Sequence, residues 1–167
     1  MRTSRAGERV WTRARAAEQC AAWRARGERV VLANGVFDLL HVGHARSLAG
    51  ARARGNRLVV AVNGDRSTAG LKGPGRPVMR AEERALLVAA LAGVEGVVIF
   101  EEDDVERLLA ELVPAVHAKG TDYTPASVPE RGAAESLGIE TAIAGDPKAH
   151  ASRDLLARVR ARCAGPA

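Results

Sequence analysis

Apolar residues come in short dense runs separated by longer amphipathic stretches, a spacing that predicts strands alternating with helices. Residues 12–26 are rich in Ala and Arg with neither Gly nor Pro, the pattern of an opening helix that Gly27 closes. The run Arg29-Val30-Val31-Leu32-Ala33 ends in Asn34-Gly35 and reads as a buried strand. Residues 42–54 are helical in pattern, with Gly55-Asn56 as the stop, and Leu58-Val59-Val60-Ala61-Val62 is a second strand ended by Asn63-Gly64. Gly, Pro and Lys mark residues 67–77 as a loop or lid. Residues 81–91 form a helix with Leu86, Leu87, Ala90 and Leu91 on its apolar side. Val97-Val98-Ile99-Phe100 is a third strand; the acidic run 101–104 after it suits the positive end of a helix over 105–112. Ala115-Val116-His117-Ala118 is a fourth strand cut short by Lys119-Gly120, residues 129–137 a helix, 139–144 a fifth strand, and 152–162 a closing helix.

Helices of about 10 to 15 residues between strands mean βαβ units. The predicted fold is α/β, a five-stranded parallel sheet with helices on both faces. Residues 1–27 are expected as a helical extension packed on a domain formed by 28–167. Parallel sheets of this kind bind ligands at the carboxyl ends of their strands. Those ends are Asn34-Gly35, Asn63-Gly64, Phe100-Glu101 and Lys119-Gly120, three of them polar and glycine-bearing.

With 167 residues and 47% hydrophobic content, the chain suits one domain with a substantial core. No apolar run approaches the roughly 20 residues that span a bilayer, and no apolar signal core follows the basic residues 1–9, so no membrane association and a cytoplasmic location are expected. Cys20 and Cys163 have no partners at metal spacing and read as idle thiols. A formal charge of +5 raises nucleic-acid binding. The arginines are scattered, however, and 3% aromatic content leaves few stacking platforms, which favours a solvated basic surface and no nucleic-acid partner. Among 25 basic residues only Lys72, Lys119 and Lys148 are lysines, each in a Gly- or Pro-containing stretch where a slim point charge suits better than a planar fork.

The chemistry concentrates in Asn34-Gly35-Val36-Phe37-Asp38-Leu39-Leu40-His41-Val42-Gly43-His44. Gly35 lets the backbone approach a ligand closely. His41 and His44 straddle a helix start, three apart and on one face. A helix N-terminus already favours anions, and two imidazoles add directed donors for phosphate oxygens, while Gly43 removes a side chain between them. Metal ligation by the pair lacks a third His or Cys nearby; buried structural histidines are the other alternative. Strand, glycine, Asp and helix in this order favour phosphate binding.

This stretch resembles the His-x-Gly-His signature of the cytidylyltransferase-like nucleotidyltransferases, relatives of the class I aminoacyl-tRNA synthetases. More narrowly, the chain is similar to the adenylyltransferases of ADP-heptose synthesis over residues 28–162. The similarity includes Val60-Ala-Val-Asn-Gly-Asp65, Leu71-Lys-Gly-Pro-Gly-Arg-Pro77, Phe100-Glu-Glu-Asp103 and Lys119-Gly-Thr-Asp-Tyr123. The resemblance implies a Rossmann-like domain, Mg²⁺, and direct attack of a substrate phosphate on the α-phosphorus of ATP. The acceptor would be a sugar phosphate such as heptose 1-phosphate.

In that reading His41 and His44 hold the triphosphate, Lys72 closes over it from a mobile loop, and the Asn34 to Phe37 backbone with Gly43 lines the nucleotide cleft. Asp38 orients either this loop or a histidine. Lys119, Gly120, Asp122 and Tyr123 meet base or ribose, with Asp122 equally suited to a turn. Asn63 and Arg76 face the substrate, and Asp65 touches metal, substrate or its own turn. Where the family has a Ser-Thr-Thr element, this chain reads His150-Ala151-Ser152-Arg153, leaving Ser152 as phosphate donor or plain helix cap. A homodimer is a family-level expectation. In some bifunctional relatives a sugar-kinase half accompanies the transferase; here that step would belong to a separate protein. Two rivals stand beside this reading: a CTP-dependent cytidylyltransferase acting on glycerol 3-phosphate or a similar polyol phosphate, and a non-catalytic nucleotide- or RNA-binding module.

Overall fold

The computed structural model describes residues 6–145 and 152–163, so the stretch with Lys148, His150 and Ala151 lies outside the described residues. Among them, six parallel strands form one sheet: β1 (Val10–Trp11), β2 (Val30–Gly35), β3 (Arg57–Asn63), β4 (Gly96–Phe100), β5 (Val116–Lys119) and β6 (Glu140–Ile143), in the order β1-β4-β3-β2-β5-β6. The helices are α1 (Arg13–Ala25), α2 (Val42–Arg52), α3 (Asp65–Lys72), α4 (Ala81–Ala89), α5 (Glu106–Leu112), α6 (Arg131–Ser136) and α7 (Ser152–Cys163).

Both faces of the sheet are covered, which is why its strands are almost uninterrupted runs of Val, Ile, Leu and Ala. Val31 and Ala33 of β2 pack with Leu48 and Ala51 of α2 and with Ala85, Val88 and Ala89 of α4. Val30 and Leu32 face Ala16, Cys20 and Trp23 of α1, Leu108, Leu109 and Leu112 of α5, and Ala134 of α6. From β2 the chain steps outward to β3 and β4, then crosses back to place β5 on the other side of β2. That reversal opens a crevice between β2 and β5, at the strand ends where Ala33 lies opposite Ala118.

The fold class matches the sequence reading, with three corrections. The sheet has six strands rather than five, because the N-terminal segment carries β1 ahead of its helix and β1 pairs with β4. Two residues are too few for a period-2 signal. The strand is seated by Trp11, whose ring lies where a Cβ on Gly96 would stand. Second, the stretch read as a loop from residue 67 is helical through Lys72. Ser67 and Thr68 are buried and hydroxyl-bonded to Gly64 O (3.4 Å) and Asn63 O (3.5 Å), local anchoring that outweighs the roughly 1 kcal/mol cost of Gly70 in a helix. Third, α4 buries Ala81, Arg84, Ala85, Val88 and Ala89, while Leu86 and Leu87 stay exposed. Small residues, not leucines, bring this helix close to the sheet.

The acidic run after β4 only partly serves the α5 terminus. Asp104 Oδ1 accepts from Glu106 N–H at 3.0 Å, whereas Glu102 pairs with Arg13 of α1. No described helix is long and apolar enough to cross a membrane.

Candidate active site

The loop leaving β2 is held in an unusual shape. Phe37 (φ 51°) and Leu39 (φ 54°) both adopt the left-handed conformation, which costs a non-glycine residue of order 1 kcal/mol. Three contacts impose it. The Phe37 ring is buried beside Gly35, where a Cβ would approach it to 3.2 Å, so Gly35 makes room for Phe37 as well as for a ligand. The buried Asp38 carboxylate accepts from Val78 N–H (2.9 Å) and Met79 N–H (3.1 Å) and pairs with Arg76 (2.9 Å). Ser152 Oγ donates to the Asp38 carbonyl at 2.7 Å, tying the start of α7 to the same loop. Of the two roles open to Asp38, the structure therefore assigns the loop: its carboxylate clasps residues 76–79 against residues 34–41.

His41 is the N-cap of α2, and its Nδ1 accepts from Gly43 N–H at 3.1 Å. His44 sits three residues on and returns the bond, its Nδ1 accepting from His41 N–H at 3.3 Å. The pair thus builds a capping box out of imidazoles, where a hydroxyl and a carboxylate usually stand. The rings stack with centroids 3.9 Å apart, and Phe37 meets His44 edge-on at 5.4 Å. Because Nδ1 is the acceptor in both rings, each neutral imidazole carries its proton on Nε2. Two N–H donors are thereby held at a helix N-terminus, an arrangement complementary to phosphate oxygens.

Sequence reasoning missed Arg84, the most buried cation of the site. It is fully buried on α4 and makes four hydrogen bonds: Nε to Met79 O (2.9 Å), one terminal nitrogen to Val36 O (2.6 Å) and Asn63 O (2.7 Å), the other to Asp65 Oδ1 (2.7 Å). One guanidinium thereby ties together the loop after β2, the end of β3, the start of α3 and the approach to α4. The available signal was register, since Arg84 shares a helix face with Ala81 and Val88. Asp65 is correspondingly taken up by Arg84, and it does not line the cleft.

The opposite wall comes from β5 and its following loop. Lys119 is 7% exposed; its Nζ pairs with Glu130 (3.1 Å), lies 3.4 Å from Asn34 Oδ1 and sits 5.0 Å from the Tyr123 ring centre. His117, also on β5, meets the same Asn34 Oδ1 through Nε2 at 2.9 Å. Burial, reinforced by the neighbouring Lys119 charge, lowers the His117 pKa to about 4, so this ring is neutral near pH 7. Glu130 and His117 gave no readable signal, because their partners are remote in sequence.

The loop after β2, the histidine pair, Lys72, Arg76 and the Lys119 and Tyr123 wall border a cleft of about 1030 Å³. That is at the upper end of the range for small-molecule and cofactor sites, large enough for a nucleotide. Every site residue expected from sequence lines it except Asp65. Lys72 stands at the C-terminal end of α3 rather than within a loop, and Arg76 enters from the turn that Asp38 holds. Asp104 and Arg160 add charged groups that the motifs did not mark, and Asp103, which closes the Phe100-Glu-Glu-Asp103 motif, also lines the cleft. No group of three or more His, Cys, Asp or Glu side chains among the described residues is arranged to hold a metal ion.

The profile of the family described as Cytidylyltransferase-like matches residues 32–153, from β2 to the start of α7. The chain belongs to the cytidylyltransferase-like family. It is a nucleotidyltransferase, and the matched residues include the imidazole-capped start of α2. Among similar proteins, the bifunctional protein HldE of Edwardsiella ictaluri is 53% identical over 105 residues, 63% of this chain and 22% of that protein. The protein of the same name from Cronobacter sakazakii is 50% identical over 119 residues, 71% of this chain and 25% of its own length. This cytidylyltransferase-like chain thus matches about a quarter of the length of those relatives. A crystal structure of the lipopolysaccharide core biosynthesis protein from Thermoplasma volcanium superposes with a TM-score of 0.63 at 27% identity, covering 73% of this chain and all of that one.

Proposed function

We propose that this nucleotidyltransferase moves AMP from ATP to a sugar phosphate, heptose 1-phosphate in the first instance, releasing pyrophosphate. The observation that carries the reading is the pair of Nε2–H donors on His41 and His44, presented at a helix N-terminus into a cleft that Lys72 and Arg76 also enter. An acceptor phosphate oxygen attacks the α-phosphorus in line; the new O–P bond forms as the bond to the β-phosphate oxygen breaks, and pyrophosphate leaves with that electron pair. No enzyme nucleophile takes part. The protein's contribution is to position the two phosphates and to stabilise charge on the equatorial oxygens, a task for fixed N–H donors and cations.

Mg²⁺ fits this site as a passenger on the nucleotide. It characteristically takes one or two carboxylates and fills its shell from substrate phosphates and water. Of the carboxylates bordering the cleft, Asp103 and Asp104 would hold it, and the ion would neutralise triphosphate charge.

The heptose acceptor rests on the motifs shared with the adenylyltransferases of ADP-heptose synthesis, and the relatives named HldE and the lipopolysaccharide core protein support it. The rival reading, CTP with glycerol 3-phosphate, shares all of the phosphate machinery and differs in base recognition. Pyrophosphate release decides between them: ATP with heptose 1-phosphate is expected to turn over at least tenfold faster than CTP with glycerol 3-phosphate. The reverse preference would replace the proposal with the rival. No release from any NTP and sugar phosphate pair would favour a binding module without catalysis.

A further inference from the structure

The buried polar cluster behind the nucleotide cleft has a direction. Asn34 Oδ1 receives two donors from β5, His117 Nε2 at 2.9 Å and Lys119 Nζ at 3.4 Å, and Lys119 is in turn held by Glu130 at 3.1 Å. His117, Lys119 and Glu130 are all buried, while Asn34 is only half-buried and lines the cleft. A side-chain amide has one acceptor end and one donor end. With the acceptor end fixed inward by two donors, the Asn34 NH₂ group is turned toward the cleft. We propose that His117 is a positioning residue for nucleotide binding: it locks the Asn34 amide so that its NH₂ group donates to an acceptor atom of the bound nucleotide.

Lys119 alone would not fix this orientation. Its ammonium is compact, is shared between Glu130 and the Tyr123 face, and makes the longer of the two contacts to Asn34. The His117 ring is rigid, fully buried and anchored in the sheet opposite Leu32, so its Nε2–H holds one direction. A neutral imidazole donating through Nε2 leaves Nδ1 as a buried acceptor with no protein partner. Core packing alone gives no reason to bury a ring nitrogen without a partner, which costs free energy. The orphaned nitrogen is what keeping the donor at Asn34 entails.

The inference rests on the nucleotide reading of the cleft, and calorimetric titration with Mg-ATP separates the two. If the unmodified protein binds neither Mg-ATP nor Mg-CTP, the functional reading falls first. Given binding, His117→Leu is expected to weaken Mg-ATP about fivefold, the worth of one neutral hydrogen bond, with the acceptor KM unchanged. His117→Gln, which places an amide N–H near the same point, is expected to stay within twofold of the unmodified protein. Asn34→Ala is expected to weaken Mg-ATP by a similar factor, and adding His117→Leu to it should cost nothing further, because the residue being positioned is gone. A merely structural His117 would instead give additive losses. Additivity, undiminished binding in Asn34→Ala, or failure of Gln to rescue would each overturn the proposal. Undiminished binding in Asn34→Ala, a change at a cleft-lining residue, overturns the proposal even if His117→Leu does not fold, and the His117→Gln comparison then carries the positive test.

Discussion

On the proposed function His44 carries two roles on one ring, and the two can be separated. Nδ1 accepts from the His41 N–H and closes the α2 cap, while the opposite Nε2–H is the donor assigned to phosphate. His44→Asn puts an amide oxygen near the Nδ1 position and removes the far donor. We expect thermal stability to stay within the ~1 kcal/mol attributable to a cap, with kcat falling about 10²-fold or more, the usual loss for a fixed oxyanion donor. Near-normal turnover would remove His44 from the chemistry.

His117 makes a prediction of a different kind. Its pKa falls from 6.5 to about 4, first through burial and then through Lys119. Between those values the unfolded chain takes up a proton that the folded chain refuses. The stabilisation is complete above about pH 6.5 and is lost as pH falls toward 4, by up to about 3 kcal/mol. Urea unfolding at pH 7 and pH 4.5 should show a distinctly smaller acid loss for His117→Leu than for the unmodified protein; equal losses would contradict the assignment. What the sequence revealed at this scale was local. The histidine pair and its neighbours could be read from spacing, whereas Arg84, His117 and Glu130 gain their roles from partners that only the folded chain brings near.

At the scale of elements, the alternation of strand and helix was legible because each strand is buried on both faces and reads as an unbroken apolar run. β1 was not, since two residues at a sheet edge carry no periodicity, and α3 was hidden by the glycines within and after it. Gly96 shows how β1 is held: a side chain there would enter the space of the Trp11 ring. Gly96→Ala is expected to cost about 1–3 kcal/mol through overpacking, and hydrogen exchange should localise the loosening to residues 10–11 and 96–98. Unchanged protection at β1 would mean the strand is seated by something other than Trp11. The left-handed residues of the loop after β2 escaped the sequence for a similar reason, because their conformation is imposed by Asp38, Ser152 and the turn at residues 76–79.

For the molecule as a whole, sheet order decides where ligands go. The reversal between β2 and β5 opens the crevice, the imidazole-capped start of α2 lies on one side of it, and the Lys119 and Tyr123 wall lies on the other. In the function proposed above, the triphosphate would lie at the start of α2, with Lys72 and Arg76 on the same cleft, and base and ribose toward β5. A crystal structure with a non-hydrolysable ATP analogue and Mg²⁺ tests that placement most directly. The account predicts phosphate oxygens at about 2.6–3.2 Å from Nε2 of both His41 and His44. Phosphates bound elsewhere in the cleft, with both rings still facing each other and no anion, would contradict it.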